Sequence, residues 1–488
     1  MNARRYDAMV VGGGACGLVA AAYLARGGAA TLLLEARNKL GGRLETIAFG
    51  DGFSAPAVTH ALSALDPRVM KELKLARQGL RFSARDMALS VLRRDGKPLT
   101  LSRDRHATRR AIAAVSEADA ARWPLFRKRL FAAARAMRGF WWEDGALPDE
   151  RAIQESIQDL RRKSAAAWLD AAFESDALKA PFAFDAMAGG LSPLDAGSAL
   201  VPLWQAAQEM CGLQGAVAFP AGGPASLASV LERAARAAGA DIRTGAAVES
   251  VLLDGDAVSG VRLASDEVIA ANLVLAALPR RRVLRDLVPA GAAGFALSNA
   301  LDRAAPVTAA KILLALDRDP GLPAGRIVVA ERIESLAAAH AAARAGKIPD
   351  ELALEIVSPS SIESGFAPAG QCALSIAVRP LPRLDAAGWN AARGDLLKRV
   401  LAALGACVPN AARHVVASEV LTPFDIEARY GARDMQADIA HMLSPWRARV
   451  ATPIRGLYAC GGDAEAVPCT SGRAGRIAAA IALAERAP

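Results

Sequence analysis

The sequence predicts an α/β protein in which a Rossmann-like dinucleotide-binding domain is joined to a second, α+β domain. Three observations indicate this fold class: a glycine-rich turn after an apolar strand at the N-terminus, an acidic residue ending the next predicted strand, and an apolar strand ending in glycines near the C-terminus. The chain has 488 residues, and because single cores stop growing at about 250–300 residues we expect more than one domain.

The first glycine-rich turn has the context that a dinucleotide site needs. A nearly all-apolar strand is predicted over residues 6–11, and G-G-G-A-C-G follows directly at residues 12–17. Gly12 allows the tight turn, and Gly14 lets the backbone approach a pyrophosphate. Gly17 lets the next helix pack close to the strand. The motif therefore predicts a phosphate-binding turn.

A second strand and a second glycine pair complete this half of the site. The strand is predicted over 31–34 and ends at Glu35, 18 residues beyond Gly17, where a carboxylate accepts hydrogen bonds from an adenosine ribose. R-N-K-L-G-G-R follows at residues 37–43, and a second glycine pair with arginine can wrap a pyrophosphate from its other side, which favours FAD over NAD. The cofactor-binding residues predicted here are Gly12, Gly14, Ala15, Cys16, Gly17, Glu35, Ala36, Arg37, Gly41, Gly42 and Arg43.

The middle of the chain predicts a helix, a parallel strand and a small antiparallel meander. F-P-A-G-G-P at residues 219–224 opens the helix, and Gly239 ends it. Strands are predicted over 241–243, 247–253, 258–263 and 273–278. We expect the backbone of Val248 to hold the adenine.

The last segment predicts the flavin end of the site. An apolar strand ends in G-G-D at residues 461–463, and a helix is predicted over 472–485. The carboxylate is expected on the ribityl and pyrophosphate region, and the N-terminus of the helix on the flavin pyrimidine. The predicted contacts are Gly462, Asp463, Thr470, Ser471 and Gly472.

Charge and cysteine content limit the partners and the compartment. The formal net charge of +9 is spread along the chain, so we expect no nucleic acid partner; a solvated basic surface and a modest attraction to anionic lipid both stay open. The six cysteines form no C-x-x-C pair and the five histidines lie far apart, which argues against a disulfide framework and a metal site. An apolar run over residues 8–25 is interrupted by glycines and is therefore no export signal. We expect a cytoplasmic protein, with peripheral contact to the inner face of a membrane as an open possibility.

The order of these motifs resembles the phytoene desaturase family of FAD-dependent carotenoid and retinoid oxidoreductases, within the wider amine-oxidase-like flavoproteins. Four blocks carry the resemblance: V-V-G-G-G-A-C-G-L with L-L-L-E-A-R-N-K-L-G-G-R, F-P-A-G-G-P-A-S-L, V-L-T-P-F-D-I-E-A-R-Y-G, and G-L-Y-A-C-G-G-D. It spans nearly the whole chain. It implies a discontinuous FAD-binding domain of the glutathione-reductase type from residues 1–65, 212–290 and 415–488, and a substrate domain from 66–211 and 291–414.

Three departures from the family pattern bear on the substrate. Ala221 stands where relatives carry arginine, the segment between Tyr430 and Thr452 is shortened, and A-E-A-V-P-C-T-S-G follows Asp463 in place of a glycine-rich stretch. All three are expected near the flavin or its substrate face, so they leave the identity of the substrate open.

The predicted substrate domain combines helices with apolar strands over 307–316, 326–329, 352–357 and 372–378. Such a sheet above the flavin predicts a long apolar cavity for a hydrophobic small molecule. Residues 103–142 combine many arginines with Trp and Phe. This segment predicts either a helix at a membrane interface or a solvated helix that packs its rings inward.

The predicted chemistry is oxidation or saturation of a C–C bond by hydride transfer at flavin N5. His60 is the candidate catalytic residue, and Thr59 and His60 are both candidate flavin contacts. A structural histidine is the alternative for His60, and His441 is a second catalytic candidate. Without a second G-x-G-x-x-G, reoxidation by oxygen or a quinone is expected. Two other functions stay open: an amine oxidase, for which the four tyrosines offer little to build an aromatic cage, and a prenyl- or lipid-binding chaperone of the Rab GDP-dissociation inhibitor type.

Overall fold

The computed structural model describes residues 6–95, 97–142, 151–294, 297, 307–431, 442–444, 446–465 and 470–486. A five-stranded parallel sheet forms one half of the molecule. Its strands, in spatial order, are β11 (Asp241–Arg243), β2 (Thr31–Leu34), β1 (Ala8–Val11), β15 (Val274–Ala276) and β21 (Leu457–Ala459). Every neighbouring pair is parallel. Three stretches that are distant in sequence therefore build one sheet, as the predicted fold class requires.

Both faces of this sheet are covered, which explains its nearly all-apolar strands. Three helices pack on one face: α1 (Ala15–Arg26), α10 (Pro224–Ala237) and α17 (Arg473–Arg486). The other face carries the predicted antiparallel meander with a short helix: β12 (Val248–Asp254), β13 (Ala257–Leu263), β14 (Val268–Ala270) and α11 (Arg280–Asp286). A Cβ on Gly475 would lie 2.0 Å from the carbonyl oxygen of Cys16, so α1 and α17 touch backbone to backbone.

A seven-stranded mixed sheet forms the second half. Its spatial order is β20 (Val415–Leu421), β16 (Val307–Leu316), β19 (Cys372–Pro382), β18 (Ala353–Val357), β17 (Arg326–Val329), β6 (Leu89–Val91) and β7 (Leu99–Leu101). Helix α14 (Ala386–Cys407) buries Trp389, Leu396 and Val400 against one face. The four strands predicted for this region are present, with β19 four residues longer than expected.

One boundary of the predicted domains is corrected by this sheet. Strand β20 falls in the segment 415–488 that was predicted to belong to the FAD-binding part, but it pairs antiparallel with β16. Leu314 faces Ser418 in this pairing, and Leu421 is buried. The reason is that its apolar residues complete the second core. The rest of the predicted division into domains stays a prediction.

The remaining helices are divided between the two halves of the molecule. Their bounds are α2 (Pro67–Glu72), α3 (Arg105–Ala113), α4 (Glu117–Ala136), α5 (Arg138–Trp142), α6 (Arg151–Arg162), α7 (Ala165–Asp170), α8 (Asp176–Ala186), α9 (Leu200–Ala207), α12 (Ile333–Arg344), α13 (Pro359–Ile362), α15 (Pro423–Tyr430) and α16 (Trp446–Val450). Three two-stranded sheets complete the fold: β3 (Thr46–Ala48) with β4 (Ser54–Pro56), β5 (Phe82–Ala84) with β10 (Phe219–Pro220), and β8 (Glu209–Met210) with β9 (Leu213–Gln214).

The rings of the basic segment 103–142 pack inward. Phe126 lies 4.6 Å from Phe173, between ring centroids, and also contacts Trp123 and Trp168. Trp141 is completely buried. This arrangement matches the inward-packing alternative for the segment. None of the helices within the described ranges combines the length and apolar character needed to cross a bilayer.

Candidate functional site

The first glycine-rich turn connects β1 to α1 at the carboxyl end of the parallel sheet. Gly12 has φ +102°, a backbone conformation that favours glycine. A Cβ on Gly17 would lie 1.9 Å from the carbonyl oxygen of Gly12, which shows why the helix needs glycine there. A Cβ on Gly14 would meet no protein atom within 4 Å. The turn is therefore packed tightly on its helix side and open on the side predicted to receive a pyrophosphate, next to Ala15 and Cys16.

The second glycine pair closes over this turn. Gly41 N donates to Gly13 O at 2.9 Å, and a Cβ on Gly42 would lie 3.5 Å from Gly14 Cα. Glu35 follows β2 and accepts hydrogen bonds from Gly13 N at 2.6 Å and from Arg37 N at 2.9 Å. The two predicted phosphate loops are thus brought face to face, with the predicted ribose acid between them and Ala36 exposed beside it.

The side chain of Arg37 is bonded to the protein itself. Its Nη2 donates to the buried carboxylate of Glu45 at 2.7 Å, and its guanidinium stacks on Tyr430, whose hydroxyl also donates to Glu45. Burial opposes ionisation of Glu45, but Arg37 and Tyr430 lower its pKa below the usual value. The side chain of Arg37 therefore ties the second loop to α15, and its predicted contact with the cofactor stays a prediction.

Asp463 reaches the same end of the sheet from the last strand. Its Oδ2 accepts a hydrogen bond from Arg280 N at 2.6 Å, and burial raises the pKa of its carboxyl. A Cβ on Gly461 would lie 2.3 Å from Leu278 O, so β21 and β15 leave the sheet in backbone contact. Gly462 opens the 3₁₀ turn that presents the carboxylate.

Three other residues predicted to contact the cofactor, Ser471, Gly472 and Val248, all make contacts within the protein. Ser471 is completely buried, and its hydroxyl donates to Glu465, while its backbone oxygen accepts from Asp66 N at 3.1 Å. Gly472 has φ +74° and a Cβ there would lie 2.7 Å from Val19, so it packs against α1 beside Thr470. Val248 pairs with Leu263 in the meander. Its neighbour Ala246 reaches the site, because Ala246 N donates to Glu35 O at 2.9 Å.

These features fit a bound dinucleotide. Backbone glycines line an open space at an α-helix N-terminus, a second loop faces it, and the Glu35 and Asp463 carboxylates lie at its two sides. Residue by residue, the contacts to the cofactor stay predictions.

A cavity of about 470 Å³ lies between the second sheet and helices α4, α8 and α9. Its lining includes Arg43 and Thr59, and Thr59 N donates to Arg43 O at 3.0 Å, so the cavity reaches the second glycine loop. Its apolar lining includes Met87, Leu89, Leu101, Trp123, Leu130, Phe131, Phe182, Met187, Pro202, Trp204 and Ile426. The volume lies within the range of small-molecule sites, about 300–1,000 Å³.

His60 lies at the inner end of this cavity, in contact with two charged residues. Its Nδ1 is 2.6 Å from Lys311 Nζ, and its Nε2 is 3.3 Å from Glu355 Oε1. Nδ1 is also 3.2 Å from Ser375 O. Because the lysine is the closer partner, the pattern fits a neutral imidazole that accepts from Lys311 and donates from Nε2 to Glu355.

The backbone register explains why these groups meet. Lys311 on β16 faces Ala377 on β19, and Ala377 faces Glu355 on β18. Both charged side chains therefore stand on the same face of the sheet, on either side of a small alanine.

Two arginines compensate Glu355, and the carboxylate of Asp185 shares one of them. Arg326 Nε donates to Glu355 Oε1 at 2.7 Å, and its Nη1 donates to Asp185 Oδ2 at 2.9 Å. Arg379 Nη2 lies 3.4 Å from Glu355 Oε2 and stacks on Phe184. We call Asp185, Arg326, Glu355 and Arg379 the charged wall of the cavity.

Burial sets the ionisation at the inner end. Desolvation lowers the pKa of Lys311 to about 7, although Glu355 acts in the opposite direction. Desolvation and the charge of Lys311 lower the pKa of His60. The pKa of Glu355 is held well below its usual value, because Arg326, His60 and Arg379 outweigh the effect of burial. At neutral pH these shifts favour an anionic Glu355 and a neutral His60, and they leave Lys311 more easily deprotonated than an exposed lysine.

The sequence prediction found His60 and missed its partners. A signal was present, since Lys311 interrupts the apolar run V-T-A-A-K-I-L-L-A-L and Glu355 stands inside A-L-E-I-V. A charge within a strand predicted to be buried costs free energy unless it has a partner or a function. His441, the second candidate, lies outside the described residues.

Five cysteines are free thiols among the residues that the structure describes: Cys16, Cys211, Cys372, Cys407 and Cys460. Desolvation raises the pKa of each of these thiols.

Comparison with known proteins gives relatives over the full length and over part of it. The chain is 29% identical, over an alignment 547 positions long, to pyridine nucleotide-disulfide oxidoreductase domain-containing protein 2 of Mus musculus. The alignment covers 98% of this chain and 93% of that protein. A zeta-carotene-forming phytoene desaturase of Myxococcus xanthus is 37% identical over 103 residues, 21% of this chain and 19% of the desaturase. The solved structure of putrescine oxidase bound to putrescine superposes with a TM-score of 0.62 at 18% identity, covering 99% of both chains.

The comparisons confirm the coarser part of the resemblance. The likeness to putrescine oxidase shows the fold, and the likeness to the Myxococcus xanthus phytoene desaturase covers a fifth of the chain. The family description "Flavin containing amine oxidoreductase" matches residues 15–341. FAD is the cofactor of this family, as the two facing glycine loops predict. The chain belongs to the flavin containing amine oxidoreductases.

Proposed function

We propose that this chain uses FAD to oxidise, or in the reverse direction to saturate, a carbon–carbon bond of a hydrophobic small molecule. One observation carries the proposal: an apolar cavity that reaches the second glycine loop ends at the buried group formed by His60, Lys311 and Glu355. Oxygen or a quinone is the proposed electron acceptor. The partial likeness to a phytoene desaturase supports this class of chemistry.

The reaction needs one hydride acceptor and one proton acceptor. When bound, FAD accepts a hydride at N5. In the oxidative direction a C–H bond on one carbon gives the hydride, the neighbouring carbon loses a proton, and a C=C bond forms between them. We assign the proton to Lys311 Nζ, because a pKa of about 7 leaves part of the amine unprotonated at neutral pH.

His60 is proposed as a positioning residue. It holds Lys311 through Nδ1 and is itself held by Glu355 through Nε2. The apolar lining supports the reaction by excluding water and by fixing the substrate C–H bond in one orientation.

Amine oxidation is the competing proposal within the family, and the cavity gives it less support. Six basic and three acidic residues line the cavity, so a cationic amine would meet an excess of positive charge. None of the four tyrosines, all within the described residues, lines it. A tyrosine cage that would hold an amine against the flavin therefore cannot form in this lining, whose rings come from Trp123, Phe131, Phe182 and Trp204.

The test is anaerobic reduction of the purified holoprotein with two matched sets of compounds. One set contains apolar alkenes and polyenes, and the other contains alkylamines of the same length. We expect bleaching of the flavin absorbance with the first set and its return when air or a soluble quinone is added. Lys311→Met should slow this bleaching at least about tenfold, whereas Lys128→Met, on the exposed face of α4, should not.

Two outcomes contradict the proposal. Bleaching by amines alone would assign the chain to amine oxidation. A colourless protein that takes up no FAD and still binds apolar ligands would support the chaperone alternative.

A further inference from the structure

The outer end of the cavity carries a positive charge that no acidic residue neutralises. Arg127, on α4, lines the cavity and stacks on Phe131, with its guanidinium carbon 4.7 Å from the ring centroid. Within the described part of the chain, no carboxylate lies within ion-pair distance of Arg127 and no acceptor receives a hydrogen bond from it. Only about a third or less of its surface is exposed, so this charge is partly removed from water.

A second arginine in the cavity lining, Arg103, is paired with a carboxylate, in contrast to Arg127. Arg103 Nε lies 2.6 Å from Asp86 Oδ2, and its Nη2 donates to Gln214 O at 2.8 Å. Asp86 is therefore occupied by Arg103. The pKa of Arg127 is lowered, first by burial and then by the charges of Arg103 and Arg105, with Asp86 acting in the opposite direction. Arg127 thus lies in a positive field that an anion would relieve.

The two ends of the cavity differ in exposure. At the outer end, 35% of the Arg103 side chain is exposed, whereas Lys311 at the inner end is 2% exposed. The lining of the same cavity also includes apolar side chains, among them Leu130, Phe182 and Trp204. A ligand that matches this pattern has an apolar body directed inward and an anionic group at the outer end.

From these observations we infer that the substrate is a hydrophobic carboxylate, and that Arg127 binds its carboxylate group. A single uncompensated unit charge matches a carboxylate, and the planar guanidinium can donate two parallel hydrogen bonds to its two oxygens. The stacking on Phe131 holds the guanidinium plane in place before the ligand arrives. This inference rests on the proposed function, because it names the substrate class of the same cavity.

The test is calorimetric titration of the oxidised holoprotein with three ligands of equal chain length: decanoate, methyl decanoate and decylamine, all kept below their micelle-forming concentrations. We expect decanoate to bind at least about tenfold more tightly than the ester or the amine. Arg127→Gln should remove this preference by weakening decanoate about tenfold or more, while the ester binds as before. Arg127→Lys, which keeps the charge, should restore part of the preference.

The matched control is Arg129→Gln, two residues along α4 on its exposed side, which should leave all three affinities unchanged. Equal binding of the three ligands by the wild type would overturn the inference. An equal loss of all three in Arg127→Gln, with the flavin spectrum intact, would also overturn it by showing a packing role.

These experiments distinguish failure of the carboxylate site from failure of the proposed reaction. A preference for decanoate that depends on Arg127, in a protein whose flavin no apolar compound reduces, would keep the carboxylate site and contradict the proposed reaction. Reduction by neutral polyenes without any preference for carboxylates would support the proposed reaction and contradict the carboxylate site.

Discussion

Gly14 and Gly17 are required for different physical reasons, although they belong to one turn. Gly14 has φ −76° and ψ −179°, an extended conformation that any residue adopts, and a Cβ there would meet no protein atom. Gly17 has no such space, because its Cβ would lie 1.9 Å from Gly12 O. Gly14 therefore leaves room for a ligand, whereas Gly17 leaves room for the protein itself.

Exchanging each glycine for alanine should separate these two roles. We expect Gly14→Ala to keep the free energy of unfolding of the apoprotein within about 1 kcal/mol of wild type but to weaken FAD at least about tenfold, because the methyl group occupies the pyrophosphate position. Gly17→Ala should destabilise the apoprotein by about 1–3 kcal/mol through overpacking. Denaturant unfolding and FAD titration measure both effects. Unchanged FAD affinity in Gly14→Ala would contradict the predicted site.

Lys311 makes folding stability depend on pH. Its pKa is about 7 in the fold and about 10.4 in an unfolded chain, so the unfolded state binds more protons between these values. Stability from this residue is therefore fully present above the unfolded pKa and is lost as the pH falls through the folded pKa. The contribution to the free energy of unfolding should rise by about 2 kcal/mol from pH 7 to pH 9.

The prediction for Lys311→Met is that this rise disappears. Methionine has a similar length but does not titrate. The free energy of unfolding of the mutant should therefore not gain the rise of about 2 kcal/mol that wild type gains from pH 7 to pH 9. Urea unfolding of both proteins at the two pH values measures the difference. A rise of the same size in Lys311→Met would show that other groups cause it.

At the scale of the elements, α4 combines a charged outer surface with rings that point inward. Phe126 contacts the rings of Trp123, Trp168 and Phe173, whereas Leu125 next to it is 51% exposed. Adjacent positions on one helix thus distinguish a packing role from a surface role.

We expect Phe126→Ala to lower the free energy of unfolding by about 3 kcal/mol, since it removes a ring from an aromatic cluster. Leu125→Ala should change stability by less than about 0.5 kcal/mol. Neither change should alter binding to vesicles that contain anionic lipid. Loss of vesicle binding in Phe126→Ala without loss of stability would instead favour the membrane-interface alternative.

Elements with a strong local pattern could be predicted, and contacts between distant residues could not. Strand β16 was predicted at its observed bounds because nine of its ten residues, VTAAKILLAL, are apolar or β-branched. The segment that forms β20 was predicted to belong to the FAD-binding part, because its alternating sequence does not say which strand it will pair with. The group around His60 was missed for the same reason: its partners lie 251 and 295 residues away in the chain.

At the scale of the whole molecule, the cofactor site depends on segments from both ends of the chain. β1 and β21 flank β15 in one sheet, and α1 packs on α17 through Gly475. A ligand that binds this junction should stabilise the chain as a unit, because it binds the folded state alone.

The corresponding prediction concerns thermal unfolding. FAD at about 100 times its Kd should stabilise the apoprotein by about 2.7 kcal/mol and raise the Tm of a single transition. Gly14→Ala should respond much less at the same concentration. Two transitions, of which FAD shifts only one, would show that the two sheets unfold independently.

The five described thiols, three of them buried and two partly exposed, have a consequence for the lifetime of the enzyme. If oxygen accepts the electrons, each turnover releases hydrogen peroxide beside the protein's own cysteines. Peroxide attacks the thiolate, and desolvation keeps Cys16, Cys460 and the other three described thiols protonated. The fold therefore protects these sulfurs from the oxidant that its own reaction would produce, so self-inactivation at these positions should be slow.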